Sequence, residues 1–415
     1  MDRRRATVRD LRRQNRSGLL GTLFFHGPLS RAELGARTGL SAATVSTLTA
    51  ELVEDRLVVE AGQVDSDGGR PRALLRVDPG YAHVVGVDLG ETGARVELFD
   101  LGLRRVATAE RPMPSTRPDP ADVVRSVVAA VRDLLAESGV DDLLGVGVGV
   151  PGTVEDGSRV HAQTIGWDGV PLAELLRAGG LRWPLHLENG AKTLGQAEMW
   201  FGAGAGAEHA VIALLGSGVG AMVVTDGATY RGATSSAGEW GHTTLVYGGR
   251  GCRCGARGCL EAYVGAEGIL DRYRRARSGK PVPRGDDPAR LAFLLDAAER
   301  SPAAAAVLDE TVGYLGAGIG NLVNLFNPER IVLGGWAGLL LGARLLPRIR
   351  AATAEHALRH AFERTSIELC TLGPDAVAVG AATLPVAALL ARGADPRAHR
   401  AAGGRGVLGT TASPA

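Results

Sequence analysis

Residues 84–100 read VVGVDLGETGARVELFD: two short apolar runs, VVGVDL and ARVELF, on either side of the turn Gly90-Glu91-Thr92-Gly93. Apolar runs of this length, rich in β-branched residues and divided by glycine, predict two strands joined by a tight turn. Residues 209–227, HAVIALLGSGVGAMVVTDG, repeat the plan around the turn Gly216-Ser217-Gly218-Val219-Gly220. The first copy is followed by a Pro-rich connector at 111–120, a helical stretch at about 121–138, the buried-strand pattern LLGVGVGVPGTV, and a third strand, PLHLEN, before a helix opening near Ala191. The second leads to ERIVLGGWAG, a strand ending in Gly334 and Gly335 that is read as approaching a base or ribose closely, and to a last helix, DAVAVGAATLPVAALLA. Alternating strands and helices imply an α/β body. Duplication of its opening unit implies two lobes with a ligand cleft between them.

Upstream of this body the pattern changes. Residues 1–16 carry seven arginines against Asp2 and Asp10, a basic arm. From Ser17, apolar residues recur at helical spacing in three segments. The first holds Leu19, Leu20, Leu23 and Phe24 and stops near Gly27-Pro28. Ser30 with Glu33 three residues on is a capping box opening a helix that ends at Gly39, and Ser41 opens a second helix, AATVSTLTAELVEDRL. Two helices around a tight glycine turn make a helix-turn-helix, in which Ser41, Ala42, Thr44, Ser46 and Thr47 are short enough to bring the second helix close to the major groove. LVVEAG, a polar turn and ALLRVD then alternate as a hairpin, the wing, with Arg70 and Arg72 placed to reach phosphates or the minor groove. A winged helix-turn-helix over residues 17–79 therefore precedes the body, with double-stranded DNA as its expected partner.

The densest chemistry lies at residues 237–261, AGEWGHTTLVYGGRGCRCGARGCLE, which holds three of the chain's four cysteines. Cys252, Cys254 and Cys259 are spaced C-x-C-x4-C among glycines, and His242 lies ten residues upstream. Three thiolates and an imidazole form a tetrahedral set that suits zinc, and four protein ligands make such a site structural rather than catalytic. Cysteines grouped in this way fit a reducing compartment better than a disulfide framework, and Cys370 reads as a buried packing residue.

At 415 residues the chain is too long for one ordinary core. With 46 basic and 45 acidic residues it has no global field to favour a polyanion or an anionic membrane. The N-terminus lacks an apolar signal core and no apolar run of eighteen or more residues stands out, so a cytoplasmic protein with no membrane span is expected. Residues 392–415, rich in Gly, Ala and Arg, read as a disordered tail.

Taken in this order, the motifs resemble the ROK family of repressors, open-reading-frame proteins and sugar kinases, over about residues 12–390. AGEWGH followed by CRCGARGCLE is similar to the family's signature region, and SRAELGARTGLSAATVS looks like its repressor branch. The resemblance implies an actin-like, ribonuclease H-like ATPase or sugar-kinase fold over residues 80–391. Lobe one would take about 80–205 plus the C-terminal helix, and lobe two about 206–374. It implies zinc ligation by His242, Cys252, Cys254 and Cys259, and sugar contacts from Asn189, Glu239, His242 and Glu261. In family kinases a turn like DLGET wraps phosphate, and an aspartate like Asp88 helps hold the metal-nucleotide.

Two positions depart from the kinase pattern. Glu188-Asn189-Gly190 stands where kinases carry Glu-Asn-Asp, whose aspartate is the general base, and glycine offers no proton acceptor. Glu91 stands where the phosphate turn usually has a second glycine, and a carboxylate there repels phosphate. The expectation is a sugar-responsive DNA-binding regulator, a repressor, with no kinase activity and no catalytic residue. It would act as a homodimer or homotetramer on a palindromic operator. The alternatives are an ATP-dependent sugar kinase with an accessory domain, and a regulator controlled by a protein partner.

Overall fold

In the computed structural model, which describes residues 7–66, 69–113, 117–277 and 284–394, the first helix begins inside the arginine-rich segment. The side chain of Arg70, residues 1–6 of the basic arm and residues 395–415 of the tail lie outside the described residues. Helix α1 (Val8–His26) opens on a capping box between Thr7 and Asp10. Residues 8–16, read as an arm, are thus its first turns. The reason is electrostatic: Arg16, only 9% exposed, donates from Nε to the Gly393 carbonyl at 2.6 Å and pairs with Glu51 at 3.1 Å and with Asp55. Those acids stand at the end of the helix Ala42–Glu54, where they draw arginines of the basic segment inward.

Strand β1 (Leu29–Ser30) leads into α2 (Arg31–Thr38), capped by Ser30 and Glu33 and stopped at Gly39 in the left-handed region at φ 69°. Helix α3 (Ala42–Glu54) starts on the Ser41 hydroxyl. Strands β2 (Val58–Ser66) and β3 (Gly69–Val77) form the wing hairpin, and β1 pairs with β3. Leu19, Leu20, Leu34, Val45, Leu52 and Leu75 fill the centre at 0% exposure.

Lobe one contains β4 (His83–Leu89), β5 (Gly93–Asp100), β6 (Arg105–Pro112), α4 (Pro120–Ser138) and β7 (Gly145–Val150). A small antiparallel flap follows, β8 (Thr153–Glu155), β9 (Arg159–Ala162) and β10 (Trp167–Val170), then α5 (Leu172–Ala178), β11 (Leu185–Asn189) and α6 (Gly190–Phe201). Lobe two contains β12 (Ala210–Leu215), β13 (Val219–Thr225), β14 (Ala228–Thr229), α7 (Glu261–Val264), α8 (Ala266–Ala276), α9 (Asp287–Ala297), α10 (Pro302–Phe326), β15 (Arg330–Gly334), α11 (Trp336–His356), α12 (Arg359–Phe362) and β16 (Ser366–Leu369). The two sheets run β11-β7-β4-β5-β6 and β16-β15-β12-β13-β14. Each has an antiparallel hairpin flanked by parallel strands in the same sequence, so the duplication seen in the strand–turn–strand motifs extends to whole sheets.

The last helix, α13 (Ala376–Ala391), returns to lobe one. The stretch Gly373–Ala391 has the length and apolarity of a membrane span, contrary to the expectation that no such run exists. Its inner face is instead packed on lobe one. The alternating GVGVGV of β7 shows how: Val146, Val148 and Val150 fill the core towards α4, while a Cβ on Gly147 would lie 1.8 Å from the Ala381 carbonyl oxygen. Gly86 meets the Ala378 carbonyl and Gly380 meets Thr193 of α6 in the same way. Glycine here buys contact between helix and sheet backbones.

The head's core continues into lobe one without a break. Val84, Phe99, Leu101, Leu144, Val386 and Leu390 cluster with the apolar residues of α1 and α3. At the far end of α6, Trp200 and Phe201 meet Phe24 and Phe25 of α1, with Phe25 and Trp200 edge to face at 5.0 Å. Substituting Gly147→Ala should lower stability by roughly 2 kcal/mol, because the helix must lift off the sheet. Gly21→Ala, on α1 with nothing within 4 Å of the added carbon, should be neutral or stabilising. Thermal unfolding of the two variants checks the contrast.

Candidate functional site

The loop after β14 is pinned before it reaches the cysteines. Gly238 adopts φ 96° and passes so close to β13 that a Cβ would lie 2.0 Å from the Ala221 oxygen. Trp240 is buried and donates from Nε1 to the Gly318 carbonyl at 3.1 Å, anchoring the single turn Trp240–His242 on α10. Gly258 at φ 79° lets the returning strand pair Thr244 with Cys259, and the Tyr263 hydroxyl accepts from the Arg250 amide at 2.9 Å.

This folding brings His242, Cys252, Cys254 and Cys259 together, with all four donor atoms within 4.8 Å of one another. His242 Nδ1 lies 3.7 Å from Cys252 Sγ, and Cys254 Sγ lies 3.8 Å from Cys259 Sγ. Tetrahedral thiolates about 2.3 Å from one ion would stand about 3.8 Å apart, so the four side chains can hold a metal ion. Burial pushes the Cys252 thiol up to about 12. That thiol therefore keeps its proton at neutral pH unless a cation displaces it. With Nδ1 facing the thiols, the Nε2 side of His242 is the one left for the cleft.

The remaining sugar-contact candidates are placed less freely than the sequence implies. Asn189 Oδ1 caps α6 by accepting from Ala191 N at 2.9 Å and Lys192 N at 3.1 Å, and its Nδ2 donates to the Gly152 carbonyl at 2.6 Å. Glu261 is 5% exposed, and its Oε2 accepts from Val219 N at 3.0 Å, bracing the second glycine turn against the metal loop. Glu239 lies beside His242, and burial pushes its carboxyl upward. Asn189 comes from lobe one and the other three from lobe two. The gap is spanned by residues the sequence reading did not assign: Arg231 pairs with Glu188, and Lys192 Nζ donates to the Ser235 carbonyl and, at 3.2 Å, to its hydroxyl.

Glu91, in the turn expected to wrap phosphate, is held by an ion pair. Arg253, between two of the clustered cysteines, donates from Nη2 to Glu91 Oε1 at 3.2 Å and to the Ser217 carbonyl at 3.2 Å, and its Nε lies 3.3 Å from Glu267. One guanidinium thus ties the first glycine turn to the second. It borders a cavity of about 690 Å³ that also takes in Thr92, Arg274 and Arg290. Burial pushes Asp88 up to about 7, with Arg95 opposing and Glu97 and Asp375 adding to the rise. Packing alone requires glycine at Gly334 and Gly335, the pair read as making room for a base or ribose: a Cβ on Gly335 would lie 2.4 Å from the Leu215 oxygen, and one on Gly334 would lie 3.1 Å from Cys370. The Trp336 indole nitrogen lies 3.1 Å from where a Cβ on Gly216 would sit.

In the head, Ser41, Ala42, Ser46 and Thr47 are exposed along one face of α3, as is Arg72 on β3. Thr44 is half-buried, and its hydroxyl lies 2.9 Å from that of Ser41, so those two stabilise the helix start. The Thr47 hydroxyl donates to the Ala43 carbonyl at 3.0 Å.

Comparison with known proteins places this architecture. Residues 84–387 match the model of the ROK family. The xylose repressor of Caldicellulosiruptor bescii is 28% identical over 396 residues, spanning 92% of this chain and 97% of that one. The glucokinase of Halalkalibacterium halodurans is 33% identical over 312 residues, 71% of this chain and 92% of that one, a stretch the size of the body alone. In fold, the chain superposes on a ROK family transcriptional regulator, a homologue of the E. coli MLC protein, with a TM-score of 0.76 at 22% identity over 92% of this chain and 98% of that one. On the match across its body, this chain belongs to the ROK family.

Proposed function

We propose that this chain is a DNA-binding transcriptional regulator, a repressor released by a sugar or sugar derivative, whose kinase-like body no longer transfers phosphate. One observation carries the reading: a winged helix whose core is continuous with lobe one sits on a body whose phosphate turn is taken up by the Glu91–Arg253 pair. The similarity to a xylose repressor over nearly the whole chain supports it. Ser46, Thr47 and Arg72 face the operator, with Ser41, Ala42 and Thr44 setting the approach of α3, and Arg70 is assigned to the same wing. Asn189, Glu239, His242 and Glu261 shape the sugar cleft. Because head and lobe one form a single core, a ligand that shifts lobe two against lobe one alters the spacing of paired heads in a homodimer or homotetramer. The compartment is the cytoplasm.

Zinc is the ion assigned to His242, Cys252, Cys254 and Cys259, where it staples the cleft wall. Metal analysis of purified protein should give close to one zinc per chain, and Cys254→Ser should lose the metal and melt at lower temperature. Wild-type protein without stoichiometric metal would refute the assignment.

Footprinting should show protection of a palindromic site, with affinity falling linearly in log–log plots against salt. Arg72→Ala and Ser46→Asp should each weaken binding about tenfold or more, a cost of about 1–3 kcal/mol. A footprint without sequence preference would count against a repressor.

The likeness to a glucokinase gives the competing reading its force, and a coupled ADP-release assay over a hexose panel tests it. No turnover is expected from the wild type or from Gly190→Asp. The added side chain has room, the nearest atom to its Cβ being the Val150 oxygen at 3.6 Å, but Glu91 and Arg253 still occupy the phosphate turn. Sugar-dependent ADP release by the wild type would overturn the proposal.

A further inference from the structure

Between β14 and the turn Trp240–His242 the chain makes a short excursion, RGATSSA at 231–237. Both of its ends are pinned to β13: Tyr230 N donates to the Val223 carbonyl at 2.8 Å, and Ala221 N to the Gly238 carbonyl at 2.8 Å. Ala237 N closes the neck on the Arg231 carbonyl at 3.1 Å. Gly232, Ala233, Thr234 and Ser236 are exposed, so burial of apolar surface does little to hold the excursion. Among the described residues, the hydrogen bonds and ion pairs that 231–236 send outside it all go to lobe one. Arg231 pairs with Glu188, and Ser235 accepts from Lys192 Nζ on its carbonyl and, at 3.2 Å, on its hydroxyl. Arg231 Nη1 also donates to the Ser235 hydroxyl at 3.4 Å, which joins the two contacts in one network.

Glu188 and Lys192 flank Asn189 in the chain, and Glu239 of lobe two also acts on the Lys192 ammonium. The excursion therefore grips lobe one beside the sugar-contact candidates. Ser235 is held at φ 61°, a left-handed conformation that costs free energy in a residue with a Cβ and persists only where its surroundings impose it. Here the surrounding group is the Lys192 ammonium, which takes both oxygens of Ser235. Glu188 is 5% exposed, so breaking its pair strands a buried carboxylate unless an incoming group replaces Arg231. Sugar hydroxyls can do so, because each donates as well as accepts: one to Glu188, another from Lys192.

We propose that residues 231–237 are an autoinhibitory latch on the sugar cleft, in which Arg231 and Ser235 occupy Glu188 and Lys192 and hold the lobes together until a sugar's hydroxyls displace them. What opens the latch rests on the sensing role proposed above; the latch itself does not.

The test is hydrogen exchange read by mass spectrometry, with operator binding alongside, on the full-length protein and its variants. Arg231→Met should speed exchange of the amides in 232–237 tenfold or more, and Arg231→Lys should speed it less. Glu188→Gln should match Arg231→Met, and combining the two should add nothing further, because one contact is being removed twice. Thr234→Ala, whose hydroxyl reaches only Ser236, should exchange like the wild type, and α10 should be unchanged throughout. Arg231→Met should also shift operator affinity at least fivefold. Of glucose, xylose and N-acetylglucosamine, any that binds the wild type should speed exchange in 232–237. The latch is overturned if Arg231→Met exchanges like the wild type, if Thr234→Ala opens the loop equally, or if the double variant is additive. It is overturned as a control on the lobes if Arg231→Met opens the loop but leaves operator affinity unchanged, or if a bound sugar slows exchange there. Wild-type protein that binds no operator would sink the DNA-binding reading, and the exchange results would still decide the latch.

Discussion

Helix α13 lies so close to β4 and β7 that a side chain on Gly86 or Gly147 would run into its carbonyl oxygens. Such backbone-level packing leaves little freedom for the helix to slide, because interiors at crystal-like density accommodate displacement poorly. The same helix meets α6 at Gly380 and reaches α1 through Val386, Leu389 and Leu390. The sheet of lobe one, the helix that opens at the cleft and the first helix of the head are therefore one mechanical unit. The N-terminus of α6 carries Asn189 and Lys192, while its C-terminus carries Trp200 and Phe201 against Phe24 and Phe25.

The cleft between the lobes is spanned by charge. Arg253 joins the two glycine turns, Arg231 joins lobe two to Glu188, and Lys192 reaches across to Ser235. Half-buried pairs of this kind gain little net stability from their own attraction, but removing one partner strands the other, at a cost of about 3–5 kcal/mol when burial is deep. They thus fix the lobes in one relation. A ligand that replaces one of these contacts has a direct route to changing the lobe angle.

Local chemistry made much of the fold readable. Ser30 with Glu33, and Ser41 before its apolar run, mark helix starts through hydrogen bonds that lie within one turn, so those boundaries needed no tertiary information. The duplicated strand–turn–strand pattern and the C-x-C-x4-C spacing are equally local. Readings that assumed a side chain was free to act outward were the ones the fold revised. Arg16 is bound by Glu51, Asp55 and Gly393, Asn189 caps a helix, and Glu261 braces a turn.

The sequence by itself determined the order of parts: a winged helix-turn-helix, then two related α/β halves, with a metal-ligand cluster in the second. Each follows from periodicity, caps or ligand spacing, properties that residues close in the chain carry together. Only the tertiary structure decided that Glu91 and Arg253, 162 positions apart, form an ion pair that ties the two glycine turns together, that an apolar C-terminal helix lies against glycine faces of lobe one, and that the buried Lys192 ammonium is held by the oxygens of Ser235. Charge compensation and burial depend on which distant residues share a space, and that is set by the packing of the whole chain.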